Sequence, residues 1–180
     1  MTLDRHPRLN EAVRAAQTYN LGIDWKEACG IDDNRGWCIP TAVYTSAFLE
    51  ARGIAARPYE AMARFDDPVN NRYAEIVDQE DQPGWDSPNR PGEHFIGHLV
   101  TGIPTFQAVA DFSLPSQTFQ TLREHLPDIL IAKLTPGQIG FRTKLGPGSA
   151  YYRLFPRRDG WAKRRWPYEE IRALAKEHAS

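Results

Sequence analysis

Arg35-Gly36-Trp37-Cys38-Ile39-Pro40-Thr41-Ala42-Val43-Tyr44-Thr45-Ser46-Ala47-Phe48-Leu49-Glu50-Ala51-Arg52-Gly53 is the stretch on which the fold turns. Pro40 suits the first turn of a helix, where its missing N–H is no loss, and Gly53 suits the stop. Between them Ile39, Val43, Ala47 and Ala51 recur every four residues, the spacing of one helix face. Cys38 therefore lies in the first turn or just before it, with Gly36 letting the backbone turn sharply ahead of it. A thiol there feels the positive end of the helix dipole and unpaired backbone N–H groups. Both favour thiolate over thiol, and the amides can hold a developing oxyanion.

Working outward, Leu9, Ala12, Val13 and Ala16 predict a helix from Leu9 to Tyr19 packed on the cysteine helix and ended by Asn20 and Gly22. Ile23 to Arg35 reads as a loop or short helix. Ile54 to Phe65 reads as extended, with Pro58 marking an edge or a bend. From Asp66 to Gly92 the composition is that of a long loop, interrupted by a short strand or helical turn at Tyr73 to Val77. His94 to Ile103 and Thr105 to Phe112 form an expected antiparallel hairpin about Pro104. Ser113 to Leu126 reads as a helix. Ile129 to Leu134 and Tyr151 to Phe155 read as strands, separated by a Gly/Pro-punctuated loop from Thr135 to Ser149. A final amphipathic helix opens after Pro167 and runs from Tyr168 to His178. The sum is one α+β domain with N-terminal helices packed on an antiparallel sheet.

The bulk numbers fit that class. At 180 residues, 41% hydrophobic and 25% charged, the chain is long enough for one well-filled core. A formal net charge of -1 makes no case for nucleic acid or an anionic membrane as partner of the whole molecule. Met1 to Pro7 carries no apolar signal core and no window approaches a membrane span, so a cytoplasmic location is expected. Cys29 and Cys38 are too few for a disulfide framework or a four-cysteine metal site, and a bridge between them is unusual in a reducing compartment. No cofactor is expected.

A thiolate nucleophile wants a histidine within hydrogen-bond reach and a third group to orient it. His98 opens the apolar run Leu99-Val100 and Asp111 closes the second strand of the expected hairpin, almost opposite each other on one face, with Cys38 brought by a helix packed against the sheet. An aspartate accepting from one imidazole nitrogen would leave the other to take the thiol proton. Against this stands the ordinary fate of cysteine, which is to be packing. Asp111 inside Ala108-Val109-Ala110-Asp111-Phe112 is less easily dismissed, since a desolvated acid needs a partner. His94 competes with His98 as the base, having the same strand parity. The two imidazoles would be about 13 Å apart along a strand rising about 3.3 Å per residue, too far to share one metal ion. Trp37, Trp85 and Tyr151, with Tyr152, are expected to line the substrate cleft. Gln117 is a candidate donor to substrate or to the Asp111 turn.

These residues carry a resemblance. Gly36-Trp37-Cys38, then Leu49-Glu50-Ala51-Arg52-Gly53-Ile54-Ala55-Ala56-Arg57, then His98, then Val109-Ala110-Asp111-Phe112-Ser113 resembles the transglutaminase-like superfamily of papain-related cysteine enzymes, whose members include arylamine N-acetyltransferases. The resemblance spans about residues 35–117 and implies a Cys-His-Asp catalytic triad in that chain order on a papain-like core. It also implies chemistry through a thioester, on a peptide or small-molecule acyl substrate. The acceptor, water or an amine, would distinguish protease or amidase from acyltransferase. The competing expectation is an inert binding or scaffold protein on the same fold. It would use the 66–92 loop and a basic stretch, Arg153, Arg157, Arg158, Lys163, Arg164 and Arg165, interleaved with Phe155, Trp161 and Trp166, to hold an acidic or anionic partner.

Overall fold

The computed structural model describes residues 6–30, 37–77, 92–114, 120–155 and 166–180, and the backbone alone at 77 and 92–96. At its centre lies α3 (Cys38–Ala51). The sequence suggested one apolar stripe, but every residue from Cys38 to Leu49 is buried. The helix is apolar all round because it is enclosed, as a core helix must be. α1 (Pro7–Leu21) and α4 (Tyr168–Ala179) pack on it from one side and the sheet from the other. The short α2 (Trp25–Cys29) is capped by Asp24, whose carboxylate accepts from the Lys26 and Glu27 amides. Of the polar groups that α3 takes into the core, Tyr44 and Thr45 are paired, whereas Ser46 Oγ has no partner among the described residues. The Tyr44 hydroxyl meets His178 Nδ1 at 2.8 Å, and the guanidinium of Arg52, just past the helix, donates to Ala179 O at 2.9 Å, tying down both faces of α4's last turn.

The sheet has eight strands: β1 (Arg57–Asp67), β2 (Arg72–Val77), β3 (Gly92–Ile96), β4 (Leu99–Ile103), β5 (Ala108–Asp111), β6 (Leu130–Lys133), β7 (Gly140–Leu145) and β8 (Gly148–Phe155). β1 is its spine. Along one edge it pairs with β8 from Glu60↔Phe155 to Asp66↔Ser149. Its other edge takes β4 in the first half, Arg57↔Gly102 to Glu60↔Leu99, and β2 in the second, Ala63↔Ile76 to Asp67↔Arg72. Pro58, read as a mark of an edge, sits in this central strand before the β8 pairing begins, so its missing N–H breaks no β8 ladder.

Several expectations are corrected here. The sheet is antiparallel except for β2 and β3, which run parallel, Tyr73↔Gly92 to Val77↔Ile96. The supposed loop from Asp66 begins inside β1, and of the two readings offered at Tyr73 to Val77 the strand is the one found, as β2. Thr135 to Ser149 is not all loop, for β7 pairs with β8 around the turn at Gly146 and Pro147. Among the described residues of 113–126 the only helical turn beyond Leu114 is a 3-10 turn, Arg123–His125. The hairpin is shorter than expected: β4 and β5 are joined by a 3-10 turn at Pro104–Phe106, but His94 to Ile96 belong to β3, which pairs with β2 and not with β5.

Side-chain alternation divides the interior in two. Leu99 and Ile103 of β4, with Ala108 and Ala110 of β5, face α3. Val100 and Val109 face the other way, into a second core with Ala61, Phe65, Leu130, Phe141, Tyr152 and Leu154. Residues of β6 and β7, from the two ends of the strand order, meet in that second core, so the sheet curls around it. No helix among the described residues is long and apolar enough to cross a membrane.

Candidate active site

Cys38 is the first residue of α3 and only 4% exposed. Trp37 is the N-cap, and no side chain among the described residues caps the helix. Pro40 has no N–H, and the Thr41 amide already donates to Trp37 O. The first-turn amides that lack an intrahelical acceptor are therefore those of Cys38 and Ile39. The Sγ donates to Gly97 O at 3.8 Å. Gly97 has φ +79, a conformation that side chains resist. It stands where the chain leaves the β2 edge as β3 and joins the β1 edge as β4, and this bend presents the carbonyl to the sulfur.

His98 follows at once and is fully buried. Its own carbonyl accepts from the Ala61 amide at 2.9 Å, anchoring it to β1. The hairpin register, Thr101↔Ala110 and Ile103↔Ala108, sets His98 and Asp111 on a diagonal and not face to face. The imidazole spans the offset: Nε2 lies 2.9 Å from Asp111 Oδ2. By alternation Asp111 shares the Val109 face, away from α3. Cys38 thus meets the pair over the end of β4 and not across the helix–sheet face that the sequence suggested.

Asp111 is held by four donors. Oδ2 accepts from His98 Nε2 and from the Tyr152 hydroxyl at 2.8 Å; Oδ1 accepts from the Ser113 amide at 2.9 Å and the Ser113 hydroxyl at 2.7 Å. Burial by itself would push this carboxyl up. The positive imidazole beside it and the hydrogen bonds from His98 and Ser113 outweigh burial and hold it below the usual range. An ionised Asp111 can only accept, so His98 Nε2 carries the proton. Burial likewise disfavours imidazolium. The Asp111 charge and hydrogen bond, with a smaller contribution from Cys38, overcome it and raise His98 to about 10. The other ring nitrogen, Nδ1, is buried with no hydrogen-bond partner among the described residues. Cys38 is near enough to influence the ring while its own hydrogen bond goes to Gly97 O. The site therefore contains a buried ion pair, an unpartnered imidazole nitrogen and a thiol close enough to act on the ring.

Of the other expected site residues, Trp37 is half-buried and packs against the helical core. Tyr151 is 37% exposed and stands on the opposite face of β8 from Tyr152, across from Arg64 and Arg142. One step along a strand reverses the face, so the tyrosine that reaches the site is Tyr152. Trp85, Gln117 and the side chain of His94 lie outside the described residues. So does the basic stretch from Arg157 to Arg165; Arg153 stacks over the Phe155 ring at 5.5 Å. Two residues of the site were missed as partners of Asp111. Ser113 carries a local signal, since a serine two residues after an aspartate commonly closes such a turn. Tyr152 carries none, because its approach depends on the curl of the sheet.

Both cysteines are free thiols. No group of His, Cys, Asp and Glu among the described residues is arranged to hold a metal ion. Two clefts, about 710 Å³ and about 330 Å³, meet at Pro147 in the β7–β8 turn, and neither is lined by Cys38, His98 or Asp111. No family model matches the chain, and no curated protein or solved structure matches it either.

Proposed function

We propose that this chain is a cysteine-nucleophile enzyme with Cys38, His98 and Asp111 as its triad, acting on an amide or ester through a thioester, as the resemblance to transglutaminase-like and papain-like enzymes implies. The observation that carries the reading is the order of the array. Asp111 occupies Nε2 of a buried imidazole, Nδ1 is left unpartnered, and a thiol at a helix N-terminus lies close enough to act on the ring. A purely structural histidine at full burial would be expected to have both nitrogens satisfied.

The chemistry follows from the groups. Cys38 passes its thiol proton, which in the resting site points to Gly97 O, to His98 Nδ1. The thiolate so formed attacks the acyl carbonyl, and the resulting oxyanion is stabilised by the first-turn amides of α3, Cys38 N–H first among them. The His98 imidazolium donates its Nδ1 proton to the leaving amine or alcohol as the tetrahedral intermediate collapses. The now neutral imidazole then takes a proton from water or an amine, which attacks the thioester and releases the acyl group. Asp111 keeps the ring in orientation and favours its charged form throughout. The acyl group is that of a peptide or a small molecule.

A stoichiometric acyl donor tests this directly. p-Nitrophenyl acetate should release a rapid burst of nitrophenolate and leave an acetyl group on Cys38, located by peptide mass spectrometry. Cys38→Ser should abolish the burst while melting near wild type. An unlabelled Cys38, or a burst that survives the substitution, would sink the reading.

A further inference from the structure

Asp111 is oriented from two sides, and only one of them is local. Ser113, two residues on, takes Oδ1 with both its amide and its hydroxyl. Oδ2, the oxygen that faces His98, takes its second hydrogen bond from Tyr152, 41 residues away in sequence. That phenol ring is fully buried and immobilised. It stacks on Phe141 with centroids 4.8 Å apart and planes 8° from parallel, and Phe65 meets it edge-on at 5.9 Å. Its hydroxyl is the one polar atom of an otherwise apolar wedge, and it points at the carboxylate.

We propose that Tyr152 is a positioning residue of the triad, its hydroxyl and the His98 imidazole sharing Asp111 Oδ2 so that the carboxylate keeps the plane from which it orients the ring. This rests on the enzymatic reading above and extends it from three residues to four. Without the phenol, Oδ2 has one donor against two on Oδ1, so the carboxylate is held less firmly in its plane and takes up a proton more readily. The hydrogen bond is charge-assisted and buried, so its loss is felt at His98 and then at Cys38. Tyr152 does not touch the reacting atoms.

The experiment is a double-mutant cycle on single-turnover acylation of Cys38 by p-nitrophenyl acetate, measured across pH in wild type, Tyr152→Phe, Asp111→Asn and the double variant. Tyr152→Phe keeps the stacking ring. It should slow acylation about tenfold, the size of one such hydrogen bond, with little change in KM. Its acid limb should move to higher pH. In the Asp111→Asn background the same substitution should do almost nothing more. A second variant with 3-fluorotyrosine at position 152 keeps the fold and sharpens the donor, and it should move the acid limb to lower pH. Unchanged acylation, additive losses in the cycle, or an acid limb that moves with neither variant would overturn the proposal alone. If wild type forms no acyl-Cys38 at all, the enzymatic reading has failed and this one with it.

Discussion

At the residue scale the candidate site is organised around one buried carboxylate. Asp111 is 2% exposed, a position no carboxylate holds without compensation, and it receives four hydrogen bonds in return, one of them from an imidazolium. The sequence showed the need, an acid within an apolar strand, and named His98 as the partner. It could not show Tyr152, because nothing local relates positions 111 and 152. The pair sets the alkaline behaviour. His98 donates only while protonated, and its raised value of about 10 places the alkaline limb of acylation there. Asp111→Asn removes the negative charge that holds the proton on the ring, so the alkaline limb should move to lower pH. A pH profile of the nitrophenolate burst measures this. A limb that stays in place would mean that Asp111 does not govern His98.

At the element scale, what seats the nucleophile is the contact between α3 and β4. Thr45 and Thr101 share a 2.6 Å hydrogen bond in a fully buried setting, and Thr45 also donates to Thr41 O. Thr45→Val leaves the Thr101 hydroxyl with only Ala42 O, at 3.4 Å. It should cost ~1–2 kcal/mol in denaturant unfolding, and Thr101→Val in the same chain should cost less than it does alone, because no orphaned hydroxyl then remains. Equal, additive losses would mean that the pair contributes no specific seating. The first, cysteine-bearing and last helices were legible because their periodicity, Pro and Gly signals are local, whereas the helix expected at Ser113 to Leu126 shows only a 3-10 turn beyond Leu114 among its described residues. β7 was hidden by its composition: Gly140-Phe141-Arg142-Thr143-Lys144-Leu145 buries only Phe141 and Leu145 deeply, and its flanking glycines and prolines resemble a loop. The parallel β2–β3 pair was equally unreadable, since it joins segments apart in sequence with no hairpin turn to announce it.

At the scale of the whole molecule, the buried pair links stability to pH. His98 is raised from 6.5, so its contribution is complete below that value and is lost as pH climbs toward about 10. Asp111 is lowered from 3.8, so its contribution is complete above that value and is lost as pH falls through the depressed one. Stabilisation by the pair is therefore fullest between these two ordinary values. The advantage of wild type over His98→Gln in denaturant unfolding should be larger at about pH 6 than at about pH 9.5. An advantage that does not change with pH would show that the pair is not ionised as described. An α+β domain with helices against a sheet was readable from patterning alone, whereas the fork at β1 and the curl that brings β8 to β5 arise from long-range pairing that no window of sequence contains.

The most direct test of the central claim, that Cys38 and His98 act as one nucleophilic unit on Asp111, is the rate of Cys38 alkylation by iodoacetamide from about pH 4 to 10, read by peptide mass spectrometry with Cys29 as the internal control. The account predicts that Cys38 reacts faster than Cys29 in the acidic half of that range and that His98→Ala abolishes the difference. A Cys38 that follows Cys29 across the range, or one that reacts equally well without His98, would contradict it.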